Sequence, residues 1–123
     1  MSELASEPST VSELASEPST RSQARVRVLV YAATPDTEPD AVGTAYHRIS
    51  VELAGTPGLL GNELMRSAAD PSDYVVMSEW ENLAAFQAWE QGQNHRNTTA
   101  PLRPYQDSRP GGPFGLYEVV ASY

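Results

Sequence analysis

The stretch Tyr74-Val-Val-Met-Ser-Glu-Trp80, followed at once by Glu81-Asn-Leu-Ala-Ala-Phe-Gln-Ala-Trp89, decides the fold of this chain. Its first part is mostly β-branched or aromatic, which predicts a strand. Asn82 is placed to cap a helix whose apolar residues recur at helical spacing. The sequence therefore predicts a strand that passes directly into an amphipathic helix.

Both side-chain rows of the predicted strand are too apolar to face water. Alternate residues of a strand point to opposite faces. One row therefore holds Tyr74, Val76, Ser78 and Trp80, and the other holds Val75, Met77 and Glu79. We expect each face of this strand to be covered by another layer of protein.

The composition indicates a single acidic domain of 123 residues. Eight arginines stand against sixteen acidic residues, and the formal net charge is −8 at pH 7. A protein of this charge repels nucleic acid and anionic membranes, so neither is expected as a partner. The absence of Cys excludes disulfides, zinc-thiolate sites and cysteine nucleophiles. No apolar run has the length of a membrane span or a signal sequence, so a cytoplasmic location is expected.

The N-terminal region contains a direct repeat, in which residues 2–10 recur as residues 12–20. Each copy is rich in Pro, Ser, Thr and Glu and contains a single Leu, a composition that cannot bury a core. Two copies are also too few to stack into a repeat architecture. We therefore expect residues 1–23 to form a disordered tail that contributes nothing to folding or turnover, and residues 24–123 to form the domain.

Strand and helix patterns alternate along the rest of the chain. Alternating valines predict a first strand over 25–33, and apolar residues at i, i+3, i+4 and i+7 predict a helix over about 38–54. A second strand over 59–66 and the 74–80 strand flank a turn and form a hairpin. The second helix is expected to end near Gly92, with a short helical segment over 95–102 and a last strand over 114–121.

The predicted order is β-α-β-β-α-β, which is the ferredoxin-like α+β arrangement with both helices on one face of an antiparallel sheet. The last strand is apolar on both sides, as the 74–80 strand is. The face without helices therefore needs a partner. A homodimer in which two sheets face each other, a dimeric α+β barrel, is the most economical solution.

Several segments together resemble the antibiotic biosynthesis monooxygenase family. They are the strand-borne Trp80, the segment Thr56-Pro-Gly-Leu-Leu-Gly-Asn62, the stretch from Ser78 to Trp89, and the following His95-Arg96. The resemblance covers residues 25–121. Residues 99–105 and 113–118 are most similar to members found with aromatic polyketide pathways, so the resemblance implies a polycyclic phenolic polyketide as substrate.

The resemblance also implies a reaction without a cofactor. In the cofactor-free oxygenases of this family, a Trp on the third strand packs beside the aromatic rings of the substrate, and Trp80 matches that position. The carbanion of a phenol can itself pass an electron to O2, so the protein needs only to bind, desolvate and deprotonate its substrate. The chain contains no GxGxxG or P-loop motif. We therefore expect no cofactor and no metal.

One departure from the family pattern concerns an Asn that several quinone-forming members carry on the same strand, shortly before the Trp. Here Val76 and Ser78 occupy that row. Asn62 on the neighbouring strand is the candidate substitute, because it falls in the row of Leu60, Leu64 and Arg66.

We expect a pocket between the sheet and its two helices, and the predicted catalytic residues in it are His47, Trp80 and Asn62. His47 follows Tyr46 at the edge of the apolar helix face and has an ordinary pKa of about 6.5, which suits a general acid or base. The alternative for His47 is a half-exposed structural role. Five aromatic residues near the helices are predicted to contact the substrate: Tyr46, Tyr74, Phe86, Trp89 and His95. For the two tyrosines, a packing role is the alternative.

Three functions remain open from the sequence. The first is a cofactor-independent monooxygenase that turns a polycyclic phenol or anthrone into a quinone. The second is a polyketide dehydratase or cyclase that uses His47 with a carboxylate or Tyr, and the missing Asn favours it. The third is a non-catalytic polyketide-binding accessory protein, which is favoured if no polar group points into the pocket.

Overall fold

The computed structural model describes residues 24–92, 95–107 and 114–123. The predicted tail of residues 1–23 lies outside these residues. The chain forms β1 (Val26–Ala33), α1 (Ala41–Leu53), β2 (Leu59–Arg66), β3 (Asp73–Trp80), α2 (Leu83–Glu90), α3 (His95–Thr99), a 3-10 helix (Ala100–Tyr105) and β4 (Phe114–Glu118). The β-α-β-β-α-β prediction is confirmed, and the short helical segment predicted after α2 is present as α3 and the 3-10 helix.

The four strands form one antiparallel sheet in the order β2-β3-β1-β4. The first strand therefore lies in the middle, and Val28 stands opposite Ser78 on one side and Leu116 on the other. This strand order with two helices on one face is the predicted ferredoxin-like α+β fold.

Two hydrophobic clusters join the helices to the same face of the sheet. The first combines the buried face of α1 with the end of β1 and consists of Ala32, Val42, Ala45, Ile49, Leu53 and Leu102. The second lies under α2 and consists of Val26, Val28, Trp80 and Phe86. Val30, Leu59 and Trp89 pack against both clusters, so the core is continuous along the sheet.

The two helices begin for different local reasons. The α1 helix was predicted from about residue 38, but it starts at Ala41. Pro39 disfavours helical backbone at the residue before it, which delays the start. The α2 helix begins as predicted, because the Asn82 carboxamide oxygen accepts a hydrogen bond of 2.8 Å from the Ala85 N–H. This cap fixes the point at which the β3 strand becomes a helix.

Gly58 brings the start of β2 close to the start of α2. Its φ of 83° lies in the left-handed region, and a Cβ at this position would collide with the Ala85 side chain. The Gly58 carbonyl also accepts a hydrogen bond of 2.8 Å from the Glu81 N–H. Glycine is therefore required at this position by both the backbone angle and the space.

A bulge between Leu59 and Gly61 changes the side-chain row of β2. Leu59 pairs with Trp80 and Asn62 pairs with Ser78, so Leu59 shares the helix-side row with Asn62. The prediction that Leu60 belongs to this row is wrong, because the extra residue reverses the alternation; Leu60 is exposed.

The sheet face opposite the helices is apolar in its centre and carries one charged cluster. Part-buried side chains in this row include Leu29, Tyr31, Val75 and Met77, and exposed ones include Met65 and Tyr117. Glu79 pairs with Arg27 at 3.3 Å and with Arg25 at 2.6 Å. None of the helices in the described residues has the length and apolar content that crossing a membrane requires.

Candidate active site

A cavity of about 230 Å³ lies between the sheet and its helices. All four strands, α1, α2, α3 and the 3-10 helix contribute side chains to its wall. Most of the wall is apolar, with contributions such as Val28 and Val30 from the sheet floor and Ile49 and Leu53 from α1. An apolar concave site with a small number of polar groups is typical of small-molecule binding.

Aromatic side chains form one wall of the cavity. Phe86 and Trp89 come from α2, and Phe114 comes from β4. The rings of Phe86 and Phe114 stand edge to face with 6.1 Å between their centroids. His95 joins this wall, because its ring meets that of Trp89 at 4.5 Å and an interplanar angle of 89°. Phe86, Trp89 and His95 therefore line the cavity, where the sequence predicted substrate contacts.

Trp80 lies beneath this wall and does not line the cavity. It is fully buried, and its ring contacts those of Phe86 and Trp89 at 5.6 and 5.3 Å. At this position Trp80 cannot stack on a substrate in the cavity, contrary to the expectation from the sequence. The reason is that Trp80 ends β3 directly under α2, whose own aromatic residues cover it. Its indole N–H donates a hydrogen bond of 3.0 Å to the Ser78 hydroxyl oxygen.

A set of neutral polar groups from α1, β2 and β3 lies in the cavity. Asn62 is present there as predicted, together with Tyr46, Ser50 and Ser78. The Ser50 hydroxyl donates to the Asn62 carboxamide oxygen at 3.1 Å, and the Tyr46 hydroxyl donates to the Asn62 backbone carbonyl at 3.2 Å. Two side chains of α1 therefore hold Asn62 in place.

His47 does not reach the cavity, so the prediction that it lines the pocket is wrong. It is exposed beside a surface cleft near Glu63 and Met65, and its ring contacts the edge of Tyr46 at 5.4 Å. Successive helical residues are turned by about 100°. Because α1 turns Tyr46 and Ser50 toward the cavity, His47 faces solvent.

Tyr74 is also outside the cavity wall. It is half-buried near the start of β3, where it packs against the α1 cluster. Only the later residues of that strand row, Val76 and Ser78, line the cavity. This position agrees with the alternative for Tyr74, which is a packing role.

Charged groups gather around His95. Burial lowers the pKa of His95 below its ordinary value of 6.5, nearby Arg103 and Arg96 act in the same direction, and Glu90 opposes them. The lowered pKa therefore shifts the imidazole further toward its neutral form at pH 7. All four side chains line the cavity. The Arg103 guanidinium is held by two hydrogen bonds of 2.9 Å, to the Arg96 carbonyl and to the Thr99 hydroxyl.

Several cavity residues were not predicted as site residues. They are mainly polar and include Ser50, Ser78, Glu90, Arg96, Arg103 and Gln106, with Phe114 as an apolar addition. For Ser50, the i, i+4 spacing from Tyr46 was a usable signal. No sequence pattern brings residues 96–106 to this cavity, because their approach depends on how α3 and the 3-10 helix fold back against α1. The described residues contain no group of three or more side chains arranged to hold a metal ion.

Comparison with known proteins identifies relatives in Streptomyces. Protein SchA of Streptomyces halstedii is 34% identical over 82 residues, which is 67% of this chain and 22% of that protein. The 42.8 kDa protein in the whiE locus of Streptomyces coelicolor is 34% identical over 79 residues, 64% of this chain and 20% of that protein. The chain thus spans about a fifth of the length of the curated relatives it matches.

Solved structures share the fold at low identity. A variant of SnoaB, a cofactor-independent oxygenase from Streptomyces nogalater, has a TM-score of 0.67 and 18% identity, covering 81% of this chain and 96% of that chain. A conserved protein from Methanosarcina mazei Go1 has a TM-score of 0.64 and 11% identity, covering 80% and 96%. At these identities the likeness concerns the fold.

The family assignment rests on a match that covers most of the described domain. The family model for antibiotic biosynthesis monooxygenase matches residues 25–100, from the start of β1 to the end of α3. The matched region includes both helices over the sheet and most of the cavity wall. This chain belongs to the antibiotic biosynthesis monooxygenase family.

Proposed function

We propose that the protein is a cofactor-independent monooxygenase that oxidises a flat polycyclic phenol or anthrone of the aromatic polyketide type to a quinone. The observation that carries this proposal is the cavity, in which an aromatic wall stands with neutral polar groups in one small apolar space. Apolar walls suit flat rings, and a few fixed polar groups orient them. Family membership and the fold shared with the oxygenase SnoaB support the reaction class.

In this proposal His95 accepts the proton that the substrate loses. Its ring is part of the aromatic wall, and its lowered pKa favours the neutral imidazole at pH 7. A neutral imidazole inside the cavity can act as a general base, whereas His47 on the solvent side cannot reach a bound substrate. His95 therefore takes the role of general base that the sequence predicts for His47.

The chemistry balances with O2 as the only co-reactant. Removal of a proton from the substrate gives a carbanion that is delocalised over its phenolic rings. One electron passes to O2, and the resulting radical and superoxide combine to a peroxide anion. The proton held by His95 returns to this anion to give a hydroperoxide, and loss of water leaves a carbonyl. A CH2 group and one O2 thus give a C=O group and one water, with no external reductant. The apolar walls keep bulk water from the reacting carbon.

We place this activity in a homodimer that pairs the sheet faces opposite the helices. The central side chains of that face, among them Leu29, Val75 and Met77, are apolar, and Tyr117 at its side is 57% exposed. Two such faces brought together cover each other in the self-complementary arrangement of a two-fold dimer.

A polyketide dehydratase or cyclase is the second candidate. It is favoured by the presence of His95 and Glu90 in one cavity wall, since the two groups can exchange protons with a substrate. A purely binding role is the third candidate, but the neutral and charged polar groups in the cavity are more than simple binding of an apolar ligand needs.

The test is to incubate chelator-treated protein with a three-ring anthrone in air and to follow product mass and O2 uptake. The proposal expects a product that gains one oxygen and loses two hydrogens, with one O2 consumed per turnover. Loss of water without O2 uptake would support the dehydratase, and binding without reaction would support the accessory role.

The two histidines of the chain provide a matched pair of variants. His95→Gln is expected to lower turnover by about 10²-fold or more, the usual effect of losing a general base. His47→Gln serves as the control and is expected to keep wild-type turnover. The opposite ranking of the two variants would overturn the assignment of His95.

A further inference from the structure

The Asn62 side chain has its acceptor oxygen occupied and its donor nitrogen unused. The Ser50 hydroxyl donates to the carboxamide oxygen at 3.1 Å. No described residue accepts a hydrogen bond from the carboxamide nitrogen of Asn62. Since Asn62 lines the cavity, its N–H groups are available to a ligand there.

Ser78 also has an unused hydrogen-bond donor, for a different reason. The Trp80 indole N–H donates to the Ser78 hydroxyl oxygen at 3.0 Å. Because this lone pair is taken, the Ser78 hydroxyl is favoured as a donor, and no described residue accepts its hydrogen. Ser78 also lines the cavity.

The two unused donors are neighbours. Asn62 on β2 and Ser78 on β3 are direct partners in the antiparallel register, and both lie on the helix side of the sheet. Side chains of such partners have Cβ atoms about 4.5–5.5 Å apart, so one ligand oxygen can meet both. The surrounding wall is mostly apolar, which strengthens a charge-assisted hydrogen bond.

We propose that Asn62 and Ser78 form an oxyanion-binding pair that receives the ionised oxygen of a phenol or enol, with Ser50 and Trp80 as the positioning residues. The identity of the ligand rests on the proposed function. An ionised oxygen only accepts hydrogen bonds, and this pair offers two donors. The pair stabilises the negative charge that develops when the substrate is deprotonated. It also gives buried Trp80 a role that requires no contact with the substrate.

The expected signature is a lowered pKa of a bound phenol. We would titrate a hydroxyanthraquinone, whose phenol and phenolate absorb at different wavelengths, free and in the presence of excess protein. Its methyl ether has the same rings without an ionisable oxygen and controls for ring binding. The wild type is expected to lower the pKa of the bound hydroxyl by about one unit or more, a tenfold or larger preference for the phenolate.

Variants assign this preference to the pair. Asn62→Ala and Ser78→Ala are each expected to weaken phenolate binding by about tenfold while methyl ether binding stays within twofold. Ser50→Ala frees the carboxamide and should lose part of the preference, whereas Ser50→Thr keeps the hydroxyl and should restore it. A structural role alone would move both ligands together.

Each result decides between the pair and the proposed oxygenase. If the wild type binds phenol and phenolate equally, the pair is overturned even where anthrone is oxidised. A phenolate preference without O2 uptake would keep the pair and refute the oxygenase. If His95→Gln abolishes the preference while Asn62→Ala and Ser78→Ala leave it unchanged, the imidazole rather than the pair binds the anion.

Discussion

Replacement of Trp80 tests whether this residue stabilises the hydrophobic core or binds the substrate. Trp80 is fully buried, and its ring is in contact with Phe86 and Trp89. The structure predicts that Trp80→Ala unfolds far more easily than the wild type. In the site hypothesis, by contrast, the variant would keep its stability and lose only ligand binding.

The expected loss follows from the buried side chain. Truncation of a buried Trp to Ala costs about 3–5 kcal/mol of unfolding free energy, because a cavity remains under the helix. A small domain has about 5–15 kcal/mol in total. At about 4–8 °C per kcal/mol, the melting temperature falls by at least about 12 °C. Trp80→Phe keeps a ring but loses the bond to Ser78, so it is expected to be milder.

Urea unfolding followed by far-UV circular dichroism measures these free energies, and the hydroxyanthraquinone titration measures the site. Trp80→Phe should fold and yet lose part of its phenolate preference, since nothing then occupies the Ser78 oxygen. Val51→Ala, at a side chain 77% exposed on α1, is the control and should change stability by less than about 0.5 kcal/mol. A Trp80→Ala protein as stable as this control would refute the reasoning.

Three further predictions concern pH, the β2 turn and assembly. His95 takes up a proton near pH 6.5 in the unfolded chain, whereas the folded site resists protonation because its pKa is lower, so the contribution of His95 to the unfolding free energy should fall as the pH drops below 6.5 and stay constant above it. His95→Gln should flatten that part of the plot of urea midpoint against pH, and an unchanged slope would contradict this prediction. Gly58→Ala should cost more than about 1 kcal/mol in thermal unfolding, because φ is 83° and the Cβ meets Ala85; wild-type stability would show that the turn can relax. Sedimentation velocity at micromolar concentration should show a dimer, because the paired sheet faces are expected to bury more than the about 1,000 Å² of a stable contact, and Met65→Glu on the sheet face should weaken the dimer; a wild-type monomer would rule the dimer out.

The fold was predictable because its signals are local. Strand alternation, helical spacing and the Asn82 cap each act over a few residues, and the order of elements then left one ferredoxin-like arrangement. The start of α1 and the β2 row were less predictable. Pro39 shortened the helix, and the bulge at Leu59 shifted the row, which no alternation count anticipates.

The cavity was predictable in part. Phe86, Trp89 and Asn62 line it as expected, because they lie on inward faces of elements that the pattern already defined. His47 and Trp80 do not, although both stand beside inward residues. A difference of one helical position turns His47 to solvent, and the helix that Trp80 leads into covers its ring.

The sequence by itself determined the secondary structure, the ferredoxin-like order and the apolar character of both sheet faces. Only the tertiary structure decided which polar atoms meet in the cavity. The contact of Ser50 with Asn62 depends on the rotation of α1 over the sheet and on the bulged register between β2 and β3. Trp80 and Ser78 share one row of β3, and the packing of the indole against Phe86 and Trp89 accompanies the orientation that brings its N–H to the hydroxyl. Hydrogen bonds act over about 3 Å. Periodicity assigns a residue to a face but does not locate its atoms to that distance, so the site required the folded chain.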